Sequence, residues 1–563
     1  MNRRTRAPHR IRSALVSALA LSLLAAGCAD VGRTPAPEAP PGYVRELVLP
    51  AELDGAVQGI ENYNPYAVSP LTRTWLYEPL MVRDAYTCDY VPWLLTGFDV
   101  PDPTTLVMHV RDGVRWSDGT SMTAADVVFT MESGKAYPGI DKGGLWSPTF
   151  GGVPTSITAQ GSDVVVTFDA PFATKLQDVL TTTLVLPQHV YGSVGDITKY
   201  VDAKPVGTGP FVVGGFNGRR LTLVRNPDYW QADQVKVQQL SLEGTYDANS
   251  AALKLRSGAL DLYQGDIPNP VRSVRDAGST DFDYSPAGTT VLAPNNERGP
   301  LRDPAFRTAM ALAIDKDAVA RKSTFGVMAP ASQTMLKLPL QSDQLPPQYA
   351  DGGYIPHDPA AAEAALDAAG YRKGPDGFRT TPDGQRISLA FTVQAGFIDY
   401  LAMAQQITAD LRGVGIDVTQ VVTDPAATDA AKKTGDFDLV LDYVGGGCTR
   451  AKDLGSHLDS SQISNGDDPV LLLNTERFSD PAVDQLVSDY AQASTPAEQA
   501  EGLSKIIDVY QQQVPVIALT YAPQRLIWNR TSASGWPSEA DRYPTDNLLR
   551  VITKLRPYDG KEG

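Results

Sequence analysis

The sequence is poor in the residues that build metal and catalytic centres. Its 563 residues include three cysteines and five histidines, and the histidines lie far apart, without the paired spacing typical of metal ligands. No G-x-S-x-G nucleophile motif occurs, and Gly207-Thr208-Gly209 lacks the third glycine of a dinucleotide-binding fingerprint. Acidic residues are so numerous that no pair of them indicates a glycosidase. We therefore expect no catalytic residues, no metal site and no cofactor, and we predict that the chain is not an enzyme.

Positive charge is also scarce. The formal net charge is −16 at pH 7, and the first 27 residues contain five arginines and no acidic residue, so the rest of the chain carries −21. A chain this acidic repels phosphate backbones, so nucleic acid is not an expected partner. A length of 563 residues exceeds what one simple core organises, which predicts at least two lobes.

The N-terminal apolar run falls short of the roughly 20 residues that a helix needs to cross a bilayer. Five arginines precede this run at 14–26, so we predict that residues 1–27 form a signal peptide. The run ends in Leu24-Ala25-Ala26-Gly27-Cys28, which resembles a lipobox with its leucine one position further from the cysteine than usual. Lipidation of Cys28 would anchor the protein to the extracytoplasmic face of the cell membrane, and residues 28–44 would form a flexible tether. General secretory and twin-arginine export both stay open, as does a periplasmic location.

Two cysteines remain if Cys28 is lipidated, and both would lie in an oxidising compartment. A disulfide is permitted there. The sequence is equally consistent with a bond between Cys88 and Cys448 and with two buried free thiols.

The most informative stretch is 205–231, with the sequence PVGTGPFVVGGFNGRRLTLVRNPDYWQ. Two glycines and two prolines surround Thr208, a composition that lets the main chain turn sharply and approach another surface. Two β-type runs, at 211–213 and 221–224, are separated by glycines and an asparagine, which predicts a hairpin. Local chemistry alone favours nothing more specific than this hairpin.

Further motifs follow in order along the chain. Tyr77-Glu78-Pro79-Leu80 comes first, and R-W-S-D-G-T-x-M-T-A-x-D-V-V-F-T covers 115–130. L-R-D-P-A-F-R then opens a helix, with an N-cap aspartate and a proline at its first position. Together with G-T-G-P and R-N-P-x-Y-W of the hairpin, these motifs resemble the family 5 extracellular solute-binding proteins, the oligopeptide, dipeptide and nickel type of ABC-importer receptor. The stretch at 115–130 is the most specific match.

The resemblance implies an α/β fold with two lobes, similar to the type II periplasmic binding proteins, and a β-rich subdomain inserted in the first lobe. The expected boundaries are 45–290 for lobe I, with the inserted subdomain at about 85–200. Lobe II is expected at 291–515, and the chain is expected to return to lobe I over 516–558.

Local patterns predict elements in both lobes. Short alternating runs over 153–187 predict strands of the inserted subdomain. A strand, a helix with apolar residues at helical spacing and a second strand predict a β-α-β unit over 387–422. Thr495 and Glu498 form a capping-box pattern that predicts a helix start.

The same resemblance implies a cleft between the lobes in which hinge closure captures solute. The residues that we expect to face this cleft are Asn62, Tyr63, Asn64, Tyr77, Thr208, Gly209, Tyr263, Gln264, Asp266, Asn295, Asp442, Tyr443, Gly446 and Gly447. Each aromatic residue among them is equally consistent with a core position.

Two solute classes, short peptides and oligosaccharides, stay open. Peptide-binding members are expected to carry a tryptophan and an acid that pairs with the peptide ammonium group, but Val444 and Gly447 occupy these positions here. For a peptide, Asp442 or Asp266 would have to supply the acid, whereas a glycine-rich run with nearby aromatic residues suits an oligosaccharide. The expected protein partner is an ABC permease, and the chain is expected to be a monomer. The alternatives are an extracellular hydrolase or a surface scaffold without a small ligand.

Overall fold

The computed structural model describes residues 38–50, 62–67, 73–148, 151–218, 220–244, 247–445, 448, 451–468, 471–538, 541, 543–545 and 547–560. The predicted signal peptide, Cys28, Gly446 and Gly447 lie outside the described residues. Within the described ranges, no helix combines the length and the apolar character that crossing a membrane requires.

Strands and helices are interspersed along the chain. The strands are β1 Leu47–Leu49, β2 Met81–Arg83, β3 Tyr90–Pro92, β4 Leu95–Asp102, β5 Thr105–Val110, β6 Pro154–Gln160, β7 Asp163–Phe168, β8 Phe211–Phe216, β9 Arg220–Arg225, β10 Gln239–Glu243, β11 Leu262–Tyr263, β12 Thr280–Pro294, β13 Ser388–Gln394, β14 Asp417–Thr423, β15 Leu439–Val444 and β16 Ile517–Asn529. The helices are α1 Arg73–Leu76, α2 Ala124–Ala136, α3 Leu176–Thr182, α4 Gln188–Tyr191, α5 Ala248–Ser257, α6 Pro270–Ser273, α7 Pro304–Ala313, α8 Lys316–Ser323, α9 Pro359–Ala368, α10 Ile398–Gly413, α11 Pro425–Thr434, α12 Pro481–Ala491, α13 Pro496–Gln512 and α14 Leu548–Lys554.

Lobe I contains a four-stranded sheet in the order β1-β10-β9-β8. The hairpin predicted from 205–231 is confirmed as β8 and β9, which pair antiparallel. Leu221 and Leu223 alternate with more exposed residues along β9 and point into the core. Trp528 and Val551 pack in the same core, so the C-terminal part of the chain completes this lobe.

The inserted subdomain is built on the antiparallel sheet β4-β5-β7-β6 and carries α2 and α3. Its core is separate from that of lobe I and includes Met108, Val127 and Val164. The prediction of strands over 153–187 is correct for β6 and β7 but wrong for α3. Buried residues in α3 recur at helical spacing, which the short alternating runs concealed.

Lobe II consists of a β-sheet covered by helices. The strand order of this sheet is β11-β16-β12-β15-β13-β14 when the strands shared with lobe I are included. The predicted β-α-β unit is confirmed, because β13 and β14 are parallel neighbours joined by α10. Met403, Ile407 and Leu411 form the buried face of α10. The predicted capping box of α13 is also present, with Thr495 and Glu498 bonded reciprocally.

Candidate functional site

Two long antiparallel strands connect the lobes. β12 pairs with β16 along its length, and the register shifts between Pro286 and Gly288. The part of β12 after this shift also pairs with β15 of lobe II. We call residues 284–288 and 522–525 the hinge ribbon. A two-stranded connection with an irregular register can absorb backbone rotation, so it can serve as a hinge between the lobes.

Gly288 brings lobe II directly onto the hinge ribbon. A Cβ atom at this position would lie 2.4 Å from the Tyr443 hydroxyl oxygen and 2.7 Å from the Gly445 carbonyl oxygen. Only glycine therefore permits this approach without displacement of the β15 end.

A cavity of about 350 Å³ opens beside the hinge ribbon, and we call it the interlobe cavity. All parts of the molecule that meet at the hinge contribute to its wall. The lining residues are Arg83, Ala85 and Tyr86 of the inserted subdomain, Ser285, Pro286, Ala287 and Gln524 of the hinge ribbon, Lys337, Tyr443 and Gly445 of lobe II, and Pro544 and Thr545 of the returning C-terminal segment.

The lining is positively charged in a chain that is strongly acidic. Arg83 and Lys337 contribute cations, and none of the lining residues that the structure describes is acidic. The nearby Asp84 carboxylate lies 2.9 Å from an Arg550 nitrogen. Burial and the charge of Asp453 raise the pKa of Tyr443 to about 12, although Arg83 opposes the shift. The Tyr443 hydroxyl therefore keeps its proton at neutral pH and can donate a hydrogen bond.

A second, much smaller cavity of about 20 Å³ lies against neighbouring residues of the hinge ribbon. Tyr284 and Arg525, which are paired across the strands, line this cavity. The next pair along the strands, Ser285 and Gln524, lines the interlobe cavity. Asp266 forms an ion pair with Arg525. Burial and the like charge of Asp266 raise the pKa of Asp399. Since successive strand residues point to opposite faces, Asp266 lies on the other side of the ribbon from the interlobe cavity.

Of the residues predicted to face the cleft, Tyr443 lines the interlobe cavity. Three others bond to the main chain or the carboxylate of Asp202, and a fourth, Asn64, lies nearby in the chain. Asn62 Oδ1 accepts from the Asp202 amide at 2.9 Å, the Tyr63 amide donates to the Asp202 carbonyl at 2.8 Å, and the Tyr77 hydroxyl donates to the Asp202 carboxylate at 2.8 Å. The Asn64 side chain is buried and donates to two main-chain carbonyls. These contacts join segments within lobe I.

Thr208 and Gly209 also lie inside lobe I. Thr208 is buried, and the Gly209 amide donates to the Leu76 carbonyl at 3.0 Å. A Cβ atom at Gly209 would lie 2.3 Å from the Trp75 carbonyl oxygen. The glycines of G-T-G-P therefore permit close packing against the end of α1, and neither Thr208 nor Gly209 lines the interlobe cavity.

Asn295 and Asp442 are engaged inside lobe II. Asn295 is buried, and its Nδ2 donates to the carbonyls of Gly435 and Phe437 at 3.0 and 3.1 Å. Asp442 lies 3.2 Å from Lys432 Nζ. Burial alone would raise the pKa of Asp442, but Lys432 and the other groups around it hold the pKa below its ordinary value. Asp442 is therefore already paired, and it does not line the interlobe cavity.

Tyr263 is buried and Gln264 is partly buried, and neither lines the interlobe cavity. Local patterns missed Arg83, Ser285, Lys337, Gln524 and Thr545. Arg83 follows the Y-E-P-L motif by three positions, which is the only sequence signal near any of them. Among the described residues, no three His, Cys, Asp or Glu side chains come together in a way that could hold a metal ion.

The structure contains the disulfide that the sequence left open. Cys88 and Cys448 are bonded, with their Cα atoms 5.6 Å apart and 360 positions between them in the chain. We call this bond the interlobe disulfide, because Cys88 belongs to the inserted subdomain between β2 and β3 and Cys448 follows β15 of lobe II.

Comparisons with known proteins agree with this architecture. The model of the bacterial extracellular solute-binding proteins, family 5, matches residues 89–466. Protein XP55 of Streptomyces lividans is 28% identical over 477 residues, which cover 80% of this chain and 82% of that protein. Di/tripeptide-binding protein 1 of Pseudomonas aeruginosa is 25% identical over 473 residues, covering 77% and 80% of the two chains.

Solved structures share the fold. A periplasmic oligopeptide-binding protein of Thermotoga maritima superposes with a TM-score of 0.81 at 23% identity, covering 91% of this chain and 98% of that one. The same protein with bound mannohexaose gives a TM-score of 0.74, with equal identity and coverage. The α/β fold is thus that of the type II periplasmic binding proteins. Because the family model matches well over half of its length, the chain belongs to the bacterial extracellular solute-binding proteins, family 5.

Proposed function

We propose that the chain is the solute receptor of an ABC importer, which captures solute in the interlobe cavity by hinge closure and delivers it to a membrane permease. The interlobe cavity is the observation that supports this proposal most directly. Its wall comes from the inserted subdomain, the hinge ribbon and lobe II together. A solute in this position contacts both lobes at once, so its binding energy favours the closed arrangement over the open one.

A short peptide is the solute class that the lining favours. Arg83 and Lys337 bring two cationic side chains to the wall, which suits a carboxylate. The hydroxyl group of Ser285 and the amide group of Gln524 offer hydrogen bonds to peptide groups. A volume of about 350 Å³ is near the lower end of the range for ligand pockets, which favours a short solute. The di/tripeptide-binding relative supports the same choice.

An oligosaccharide is the second candidate. The rings of Tyr86 and Tyr443 both border the interlobe cavity, and aromatic faces with neutral hydrogen-bonding groups suit sugars. The Thermotoga maritima neighbour with bound mannohexaose supports this alternative.

We also propose that Cys28 carries a lipid anchor and that the segment following it tethers the folded lobes to the membrane. The lipobox-like sequence before Cys28 supports this assignment. Treatment of intact cells with globomycin, which blocks lipoprotein signal peptidase, should cause the uncleaved precursor to accumulate. Normal cleavage of the precursor under that treatment, or in a Cys28→Ser variant, would contradict lipidation of Cys28.

Calorimetric titration of the purified protein distinguishes the solute classes. The panel contains di- and tripeptides with a free carboxyl terminus, the same peptides as carboxyl-terminal amides, and manno-oligosaccharides. We expect binding of the free peptides and weaker binding of the amides. Binding of the sugars alone would select the second candidate, and no binding of any member at millimolar concentration would contradict both.

Replacement of Arg83 tests the site itself. A charge-assisted hydrogen bond contributes about 1.5–3 kcal/mol, so Arg83→Gln should weaken binding of a free peptide by about 10- to 100-fold. Arg298→Gln is the matched control, because Arg298 lies on lobe II and pairs with Asp436 away from the cavity. Equal affinities of the two variants would show that the peptide binds elsewhere.

A further inference from the structure

The interlobe disulfide joins the lobes away from the hinge ribbon. Cys88 lies in the turn between β2 and β3, and Cys448 lies between β15 and the π-helical turn Ala451–Gly455. Neither cysteine belongs to β12 or β16. The oxidised protein therefore has a third covalent connection between its lobes, besides the two strands of the hinge.

This third connection lies beside the interlobe cavity. Tyr86, two residues before Cys88, and Gly445, three residues before Cys448, both line the cavity. The hinge ribbon supplies another part of the same wall. The cavity is thus bordered by the hinge ribbon and by the two segments that lead into the disulfide.

The turn that carries Cys88 is braced against lobe I. Asp84 accepts hydrogen bonds from the amides of Tyr86 and Thr87 at 2.9 and 3.2 Å, and the Cys88 amide donates to the Asp84 carbonyl at 2.8 Å. The Asp84 carboxylate also pairs with Arg550 at 2.9 Å. Because these bonds fix the shape of the turn, a displacement of Cys88 must move the turn with it.

A non-covalent contact accompanies the disulfide. Thr174 Oγ1 of the inserted subdomain donates to the Ala491 carbonyl of lobe II at 3.2 Å, and both residues are buried. The 3-10 turn Ala173–Lys175 also contacts the π-helical turn that follows Cys448. The inserted subdomain is therefore seated on lobe II at the place where the disulfide connects them.

Rotation about the hinge ribbon separates points that lie off its axis. The contact of Thr174 can break and reform during such a motion, but an intact disulfide keeps its two Cα atoms within about 7 Å of each other. We propose that the interlobe disulfide confines opening of the cleft, so that the oxidised protein exchanges solute without the wide hinge motion that the reduced protein can make. The restriction on motion stands on the geometry alone, and its effect on solute exchange rests on the proposed function.

Small-angle X-ray scattering tests the restriction without any ligand. The samples are the oxidised protein, the same protein treated with dithiothreitol, and a Cys88→Ser/Cys448→Ser variant. Dithiothreitol supplies the two electrons and two protons that convert the disulfide to two thiols, and it becomes a cyclic disulfide. We expect a larger radius of gyration for the reduced protein and for the double variant than for the oxidised protein.

The double variant also controls for the reductant, because dithiothreitol should leave its scattering unchanged. Circular dichroism and a cooperative thermal transition establish that each sample is folded. If the reduced protein and a folded double variant scatter as the oxidised protein does, the disulfide does not confine the cleft and the inference is overturned.

Stopped-flow binding then tests the consequence for exchange, with tri-alanine as the probe. The association and dissociation rate constants of the double variant should both exceed those of the oxidised protein by about tenfold or more. If the radius of gyration increases but both rate constants are unchanged, the disulfide does not limit solute exchange. Absence of tri-alanine binding in every sample, with the same expansion, would count against the proposed solute and would leave the restriction on opening supported.

Discussion

Glu78 provides a sharp test of the physical account of lobe I. Its side chain is fully buried and accepts hydrogen bonds from Trp93 Nε1 at 2.6 Å, from the Tyr229 hydroxyl at 2.7 Å and from Trp230 Nε1 at 3.3 Å. Arg111, stacked on the Trp230 ring at 4.3 Å, is the nearby cation. Burial raises the pKa of Glu78 from 4.5 to about 7, although the hydrogen bonds oppose the shift.

The sign and size of the effect follow from this pKa. A carboxyl whose pKa is higher in the folded state than in the unfolded state binds its proton more tightly when folded, so it destabilises the fold as the pH rises from 4.5 to 7. The difference between the two pKa values corresponds to about 3 kcal/mol at 1.36 kcal/mol per unit. Below pH 4.5 both states are protonated, and above pH 7 the penalty is complete.

The Glu78→Gln variant removes the titration while keeping an oxygen acceptor. Its amide nitrogen would face Trp230 Nε1, which adds a cost that does not depend on pH. We therefore expect the free energy of unfolding of the wild type, relative to Glu78→Gln, to fall by about 3 kcal/mol between pH 4.5 and 7. Urea unfolding followed by tryptophan fluorescence at pH 4 to 8 measures this difference.

Glu132→Gln is the matched control, because Glu132 is exposed on α2. Its unfolding free energy should follow that of the wild type across the same pH range. If the difference between wild type and Glu78→Gln is constant with pH, or rises with pH, burial does not raise the pKa of Glu78 and the reasoning fails.

Two further substitutions test packing. Gly209→Ala would place a methyl group 2.3 Å from the Trp75 carbonyl oxygen and should lower the free energy of unfolding by about 1–3 kcal/mol, whereas Gly97→Ala, which meets open space, should be tolerated. Equal urea midpoints for these two variants would contradict the close approach. Asn295→Ala leaves the carbonyls of Gly435 and Phe437 without their donor and should cost about 1–3 kcal/mol in the same assay. A loss below about 0.5 kcal/mol, the range of ordinary surface substitutions, would show that these carbonyls find other partners.

Elements that depend on neighbouring residues were predictable from the sequence. The hairpin over β8 and β9, the β-α-β unit around α10 and the capping box of α13 each depend on apolar spacing or on a short polar pattern. The prediction of strands failed at α3 because this helix has only seven residues, which is too short to show a helical period beside the strands that precede it.

The lining of the interlobe cavity could not be read from the marker motifs, because the markers of a family need not line its cleft. Glu78 and Gly209 lie in marker motifs, yet the first binds aromatic donors inside lobe I and the second packs against α1. Of the described lining residues, Tyr443 alone was among the predicted site residues, and it lies one position before the end of β15. Ser285 and Gln524 meet only because β12 and β16 pair in this register.

The sequence by itself determined the family, the two-lobed α/β fold and most local elements, because these depend on contiguous patterns. The tertiary structure decided which side chains surround the interlobe cavity, that burial raises the pKa of Glu78, and which cysteines bond. Each of these depends on groups far apart in the chain, such as Cys88 and Cys448, separated by 360 positions. No local pattern encodes such proximity, because it results from the packing of both lobes around the hinge.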